Sequence, residues 1–156
     1  MILTGIGVRV TPKEIYYSVI ENNNGVLEVK SLSKLIVPVS LSTPEQLNFV
    51  RKTFKDIIFE FGCNRAGIRI TEDSARTISV ERVSYEAVIQ ELLASSTIEK
   101  YLTGKISNMC PRLGIGRKDF KLIVENKLEY DLIDGFSSFN PLFKESILVC
   151  IASFAL

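Results

Sequence analysis

Apolar and polar residues alternate over the first ten positions. Ile2, Thr4, Ile6, Val8 and Val10 fall on one side, and Leu3, Gly5, Gly7 and Arg9 on the other. A period of two predicts a strand, here with small residues along one face. "EIYYSVIE" at 14–21 is β-branched and aromatic, which predicts a second strand. Asn24-Gly25 supplies a tight hairpin signal, and a third strand is expected over 26–37. The opening therefore reads as an antiparallel three-strand meander.

The period then changes. Leu47, Val50, Phe54, Ile57, Ile58 and Phe61 recur at helical spacing. Thr43 as cap, Pro44 in the first turn and Gln46 as capping-box partner would start this helix, and Gly62 would end it. A short strand is predicted at 66–71. The helix at 79–95 carries Val80, Val83, Ala87, Val88, Ile89, Leu92 and Leu93 on most of its sides, the pattern of a helix buried between other elements. Residues 97–104 read as a fifth strand, 105–116 as a loop punctuated by Pro111, Gly114 and Gly116, and 117–128 as a helix. Asn140 and Pro141 open a last helix running to the C-terminus. The order βββ-α-β-α-β-α-α predicts an α/β fold. Its mixed five-stranded sheet would have the first three strands antiparallel and helices on both faces, because strand–helix–strand crossovers are right-handed.

Bulk properties narrow the chemistry. At 156 residues, one domain over 1–156 is expected. Hydrophobic residues at 46% and charged residues at 24% suit a folded domain. A net charge of +1 gives no overall field toward nucleic acid, so any basic surface must be local. Histidine is absent, which excludes Ser/His/Asp and Cys/His catalysis and removes the commonest zinc ligand. Cys63, Cys110 and Cys150 lie far apart, as expected of buried, reduced thiols in a cytoplasmic protein. No apolar run reaches spanning length and no basic segment precedes an apolar one at the N-terminus, so neither membrane span nor signal peptide is expected.

Four stretches together resemble one family. "LTGIGVRVTPKEIYYSVIE" is similar to the first hairpin of the RuvC-type resolvases, where that family carries a "GIDPG" motif. "RAGIRITEDSARTISVERVSYEAVIQELL" resembles its fourth strand, which ends in Glu, with the loop and helix that follow. "GIGRKDF" is similar to its "GxGxAxK" turn, and "FKESILVCIASFAL" to its C-terminal "DAxDALAIA" helix. The resemblance, shared with small bacterial proteins similar to these resolvases, implies an RNase H-like fold. It also implies a site in which four carboxylates hold two divalent cations for in-line phosphodiester displacement.

The departures bear on that chemistry. Gly7 stands at the first-strand Asp position, Arg69 (or Ile70) at the fourth-strand Glu, and Leu142 at one of the two last-helix acids, leaving Glu145. The expectation is a degenerate metal site with no resident cofactor, in a domain that acts by binding a nucleic-acid or protein partner. The alternative is a Mg²⁺- or Mn²⁺-dependent nuclease built on Glu72, Asp73 and Glu145. Glu72, Asp73 and Arg76 read first as a solvated loop with local pairing, and Glu81 and Glu86 as helix-surface partners of Arg82. A buried Glu86 or Glu145 would need a cation, and Arg69 is the expected partner. Lys105, Arg112, Arg117, Lys118 and Lys121 form the one basic concentration and are the candidate nucleic-acid contacts. "GIGRKDF" could cradle a phosphate on its glycines and helix N-terminus. Phe136, Phe139 and Phe143 are expected to close the core; exposed, they would mark a homodimer surface.

Overall fold

The computed structural model describes residues 1–156. Strands β1 (Ile2–Val10), β2 (Glu14–Asn23) and β3 (Val26–Ile36) form the expected meander. Asn24 and Gly25 take positive φ between β2 and β3, the backbone a tight reversal requires. Strand β4 (Arg65–Arg69) and strand β5 (Lys100–Gly104) add on parallel to β1, giving the order β3-β2-β1-β4-β5. Both added strands are shorter than the sequence implies.

Helices α1 (Thr43–Phe61) and α2 (Val80–Ser95) cover one sheet face. They close a core with Ile6, Val8, Ile15, Val19 and Ile68. The cap of α1 lies one residue earlier than expected. Ser42 is the N-cap and Glu45, not Gln46, reaches back to it, while Gln46 donates instead to the Pro38 carbonyl. Helix α2 is not buried all round. Val80 and Val83 are exposed, like Ile78 just before the helix, because α1 and the sheet cover only the side carrying Tyr85, Ile89, Leu92 and Leu93.

The other face carries α3 (Ile106–Leu113), α4 (Arg117–Val124) and α5 (Pro141–Ser153). Helix α3 falls where a loop was expected. Gly114 is its left-handed cap, at φ 70°, and Asn108 accepts from the Lys105 N–H at its start. A glycine read as loop punctuation is thus a helix stop. Phe136 is buried, and Phe143 meets the Tyr16 ring edge-on at 4.9 Å, so these rings close the core. Exposed apolar surface lies at the start of α2 instead. The three cysteines are free and buried, and no helix is long and apolar enough to cross a membrane.

One feature of the α5 face positions everything that follows. A methyl group at Gly7 would collide with the Ser146 carbonyl, and one at Gly67 with the Val149 carbonyl. Gly7 and Gly67 are register partners on β1 and β4, so together they let the α5 backbone rest directly on the sheet.

Candidate functional site

Because α5 lies so close, its second turn holds Glu145 over the carboxyl ends of β1 and β4. Two residues beyond the glycines, on the same side of each strand, stand Arg9 and Arg69, themselves register partners. Glu145 accepts from both. Arg9 Nε donates to Oε2 at 3.1 Å and Arg69 Nε to Oε1 at 3.0 Å. Arg69 Nη1 also donates to Glu72 Oε2 at 2.5 Å, to the Ile70 carbonyl and to the Gly104 carbonyl. Glu72 in turn accepts from the Ile106 N–H, which ties its loop to the first turn of α3. The Arg69 guanidinium also sits 5.6 Å from the centre of the buried Phe120 ring on α4.

Beside this lies a second pair. Glu86 is buried and accepts from Thr71 N–H and Oγ1 and from Arg82 Nε, at 3.1, 3.0 and 2.8 Å. Burial pushes the Arg82 guanidinium below its ordinary pKa, and the nearby charge of Arg9 adds to this. Glu86 and the nearby charge of Arg69 act on it too, in opposite directions. Arg9, Glu145, Arg69 and Glu72 thus form one ion-paired cluster, with Arg82 and Glu86 as a separate pair beside it, and three glutamates balance three arginines. Buried acids and bases survive only in such mutual company.

The predicted residues distribute unevenly over this picture. Arg69 and Glu145 pair as expected, while Glu86 takes Arg82. Glu72 joins the network. Asp73 does not: it is exposed and both its oxygens accept from Lys105 Nζ at 2.8 Å. The carboxylates proposed for the alternative metal site therefore do not converge, and no group of three or more acidic, cysteine or histidine side chains is placed to hold a metal ion. Gly7 lies beneath α5 with no space for a carboxylate; the β1 side chain at the site is Arg9. Leu142 is half-buried outside the network. Arg9 was legible only as the residue two positions after Gly7 on the same strand face.

Divalent cations fit poorly here. Such ions need several oxygen ligands at close range. Both oxygens of Glu145 are already held by guanidinium groups, and two cations at this end of the sheet repel a third.

In the basic stretch, Lys105 is committed to Asp73, Arg112 donates to the Asn108 carbonyl, and Lys121 lies 3.8 Å from Glu125. Arg117 and Lys118, the first two residues of α4, are exposed and have no partner within the chain. The Gly116 N–H that would meet a phosphate in "GIGRKDF" instead donates to Asp119 Oδ2 at 3.2 Å. That turn is capped by its own acid rather than left open as a cradle.

No sequence family and no curated protein matches the chain. Solved structures do. Thermus thermophilus RuvC, bound to a Holliday junction substrate, superposes with a TM-score of 0.68 at 6% identity, over 99% of this chain and 94% of that one. The yeast mitochondrial Holliday junction resolvase gives 0.56 at 10% identity, over 97% and 78%. The Fowlpox virus resolvase, bound to Holliday junction DNA, gives 0.50 at 11% identity, over 97% and 99%. The chain has the RuvC-like, RNase H-like fold. At these identities the likeness is one of fold.

Proposed function

We propose that this chain is a RuvC-like domain whose metal centre has been replaced by an arginine–glutamate network, and that it works by binding nucleic acid without cutting it. The observation that carries the reading is the double grip of Arg9 and Arg69 on Glu145. A carboxylate held by two largely buried guanidiniums is a poor ligand for Mg²⁺ or Mn²⁺, because the cation would have to displace both and leave Arg9 uncompensated. The nucleic-acid partner is supported by two features. The fold is shared with proteins solved on junction DNA, and Arg117 and Lys118 stand uncommitted at the start of α4. Neutralising backbone phosphates needs such free cations, since a lysine already paired with an acid brings no net charge.

The test is a Mg²⁺ and Mn²⁺ titration by calorimetry, with binding and cleavage of branched and single-stranded DNA and RNA followed in the same buffers. The expected result is nucleic-acid binding that falls with salt, without metal heat and without cleavage. Metal binding accompanied by cleavage that disappears in Glu145→Gln would overturn the reading and make the chain a metal-dependent nuclease.

A further inference from the structure

Strand β3 lies at the edge of the sheet, with β2 as its one neighbour. Alternate residues of such a strand turn their N–H and C=O groups away from the sheet. Nothing in the chain takes these groups up, since no hydrogen bond joins the backbone of Val26–Ile36 to any residue outside β2. The two halves of the edge differ, however. The register with β2 skips Lys30, which makes a bulge there, and Lys34 stands further along. A bulge and edge lysines both discourage a further strand. The first half, Val26–Val29, carries neither device.

That open half also borders a groove. Leu27, Glu28 and Val29 line one side, and Leu132, Ile133 and Asp134, from the segment between α4 and α5, line the other, around a cavity of about 290 Å³. The segment runs beside β3 without pairing with it. Leu27 and Val29 pack on the α5-side core and Ile133 is buried, so the groove has an apolar lining fixed in the fold. Leu132 is 55% exposed and Val26, next along the strand, 72%. Apolar surface of this kind gains by being covered.

Charge decides between occupants. Glu129, Asp131 and Asp134 line this cavity and the one adjoining it, and all three are exposed without a cation of their own. The lysines of the region, Lys30 and Lys127, pair with Glu28 and Glu125 instead. A second copy of the chain would bring the same acids and be repelled, whereas a basic segment would be attracted.

We propose that Val26–Val29 accepts an added strand from a partner protein: an extended segment with apolar residues at alternate positions and Lys or Arg at its flanks. Its backbone pairs with the free edge, its apolar side chains enter the groove on Leu27, Val29 and Ile133, and its cations meet Glu129, Asp131 and Asp134. In strand addition the main chain supplies affinity, and pockets for alternate side chains supply specificity. Neither Arg9, Arg69 nor Glu145 takes part, so the site stands or falls independently of the nucleic-acid reading.

The experiment uses the full ¹⁵N-labelled chain and blocked synthetic peptides of the pattern Lys-Val-Thr-X-Thr-Val-Lys, with X as Val, Leu, Ile or Phe. Fluorescence anisotropy gives affinity and amide spectra give the place of binding. Peptides of the set should bind and shift the amides of Val26–Val29 and of residues 132–134. Leu132→Ser, at an exposed position, should weaken binding at least tenfold, as should Glu in place of the peptide's Lys. N-methylation should abolish binding at one alternate set of peptide nitrogens, those facing β3, and spare it at the other. Failure of the whole set to bind, or shifts confined elsewhere, overturns the site. Tolerance of N-methylation at both sets overturns strand addition, and the wild-type chain decides this whatever the stability of the variant. A concentration-dependent dimer in sedimentation velocity, lost in Leu132→Ser, overturns the partner in favour of a second copy.

Discussion

Two groups of positive charge stand out in the molecule, and they behave as opposites. Arg9 and Arg69 at the ends of β1 and β4, and Arg82 in the first turn of α2, are largely buried and matched by Glu145, Glu72 and Glu86. At the start of α4, Arg117 and Lys118 are exposed and unmatched. The first group has been taken out of water at a cost that only its carboxylates offset, so its worth is structural order and fixed hydrogen-bond direction. The second keeps its hydration and costs the fold almost nothing, so it is free to exchange counterions for a polyanion. Counting cations along the sequence does not separate the two; burial and partnership do.

The contrast breaks most visibly at Glu145. Replacing it with Gln leaves Arg9 without a counter-charge and Arg69 with Glu72 alone, and should cost about 3–5 kcal/mol, read as a lower urea midpoint at constant slope. Replacing Arg9, Glu145 and Arg69 together by methionine should cost less than that single change, because the one carboxylate left without its cation, Glu72, is partly exposed and keeps its bond from the Ile106 N–H. Equal losses would show that the network is not balanced as drawn.

Next comes the support beneath it. Gly7→Ala places a methyl group against the Ser146 carbonyl and should destabilise by about 1–3 kcal/mol through overpacking. It should also disturb the Arg9 and Arg69 side-chain signals, because α5 must lift to accept it. On the exposed side the expected signature inverts. Arg117→Gln with Lys118→Gln should leave stability within about 0.5 kcal/mol, yet lower the slope of log affinity against log salt by about one unit per residue. DNA binding measured across a salt series checks this. The smallest effect belongs to Asp73→Asn. It breaks an exposed pair with Lys105 and should change stability by about 1 kcal/mol or less, while freeing a lysine and so strengthening DNA binding slightly at low salt.

How far the sequence led differs between the two sheet faces. On the α1 and α2 side, periodicity was enough. The meander alternates, the apolar stripe of α1 repeats at helical spacing, and the observed core contains the residues so picked out. The expected burial of α2 failed because hydrophobicity on several sides does not say which sides find a partner, and Val80 and Val83 found none. On the α5 side, local signals misled. Pro111 and Gly114 suggested a loop, although one lies inside α3 and the other ends it. The Arg69–Glu145 pair was legible, because a buried acid demands a cation. Arg9 was not, although Gly5, Gly7 and Arg9 share a strand face. The resemblance marks Gly7 as the position lacking a carboxylate, whereas the side chain at the site belongs to the residue two places on.

The direct seating of α5 on Gly7 and Gly67 has a dynamic corollary. Helices usually ride on a layer of side chains, whose rotamers let them roll or slide by an ångström. Here the spacing is set by backbone against backbone, with nothing soft between. Motion of α5 must therefore be motion of β1 and β4 as well, and the amides of these three elements should exchange with solvent as one slow cooperative unit.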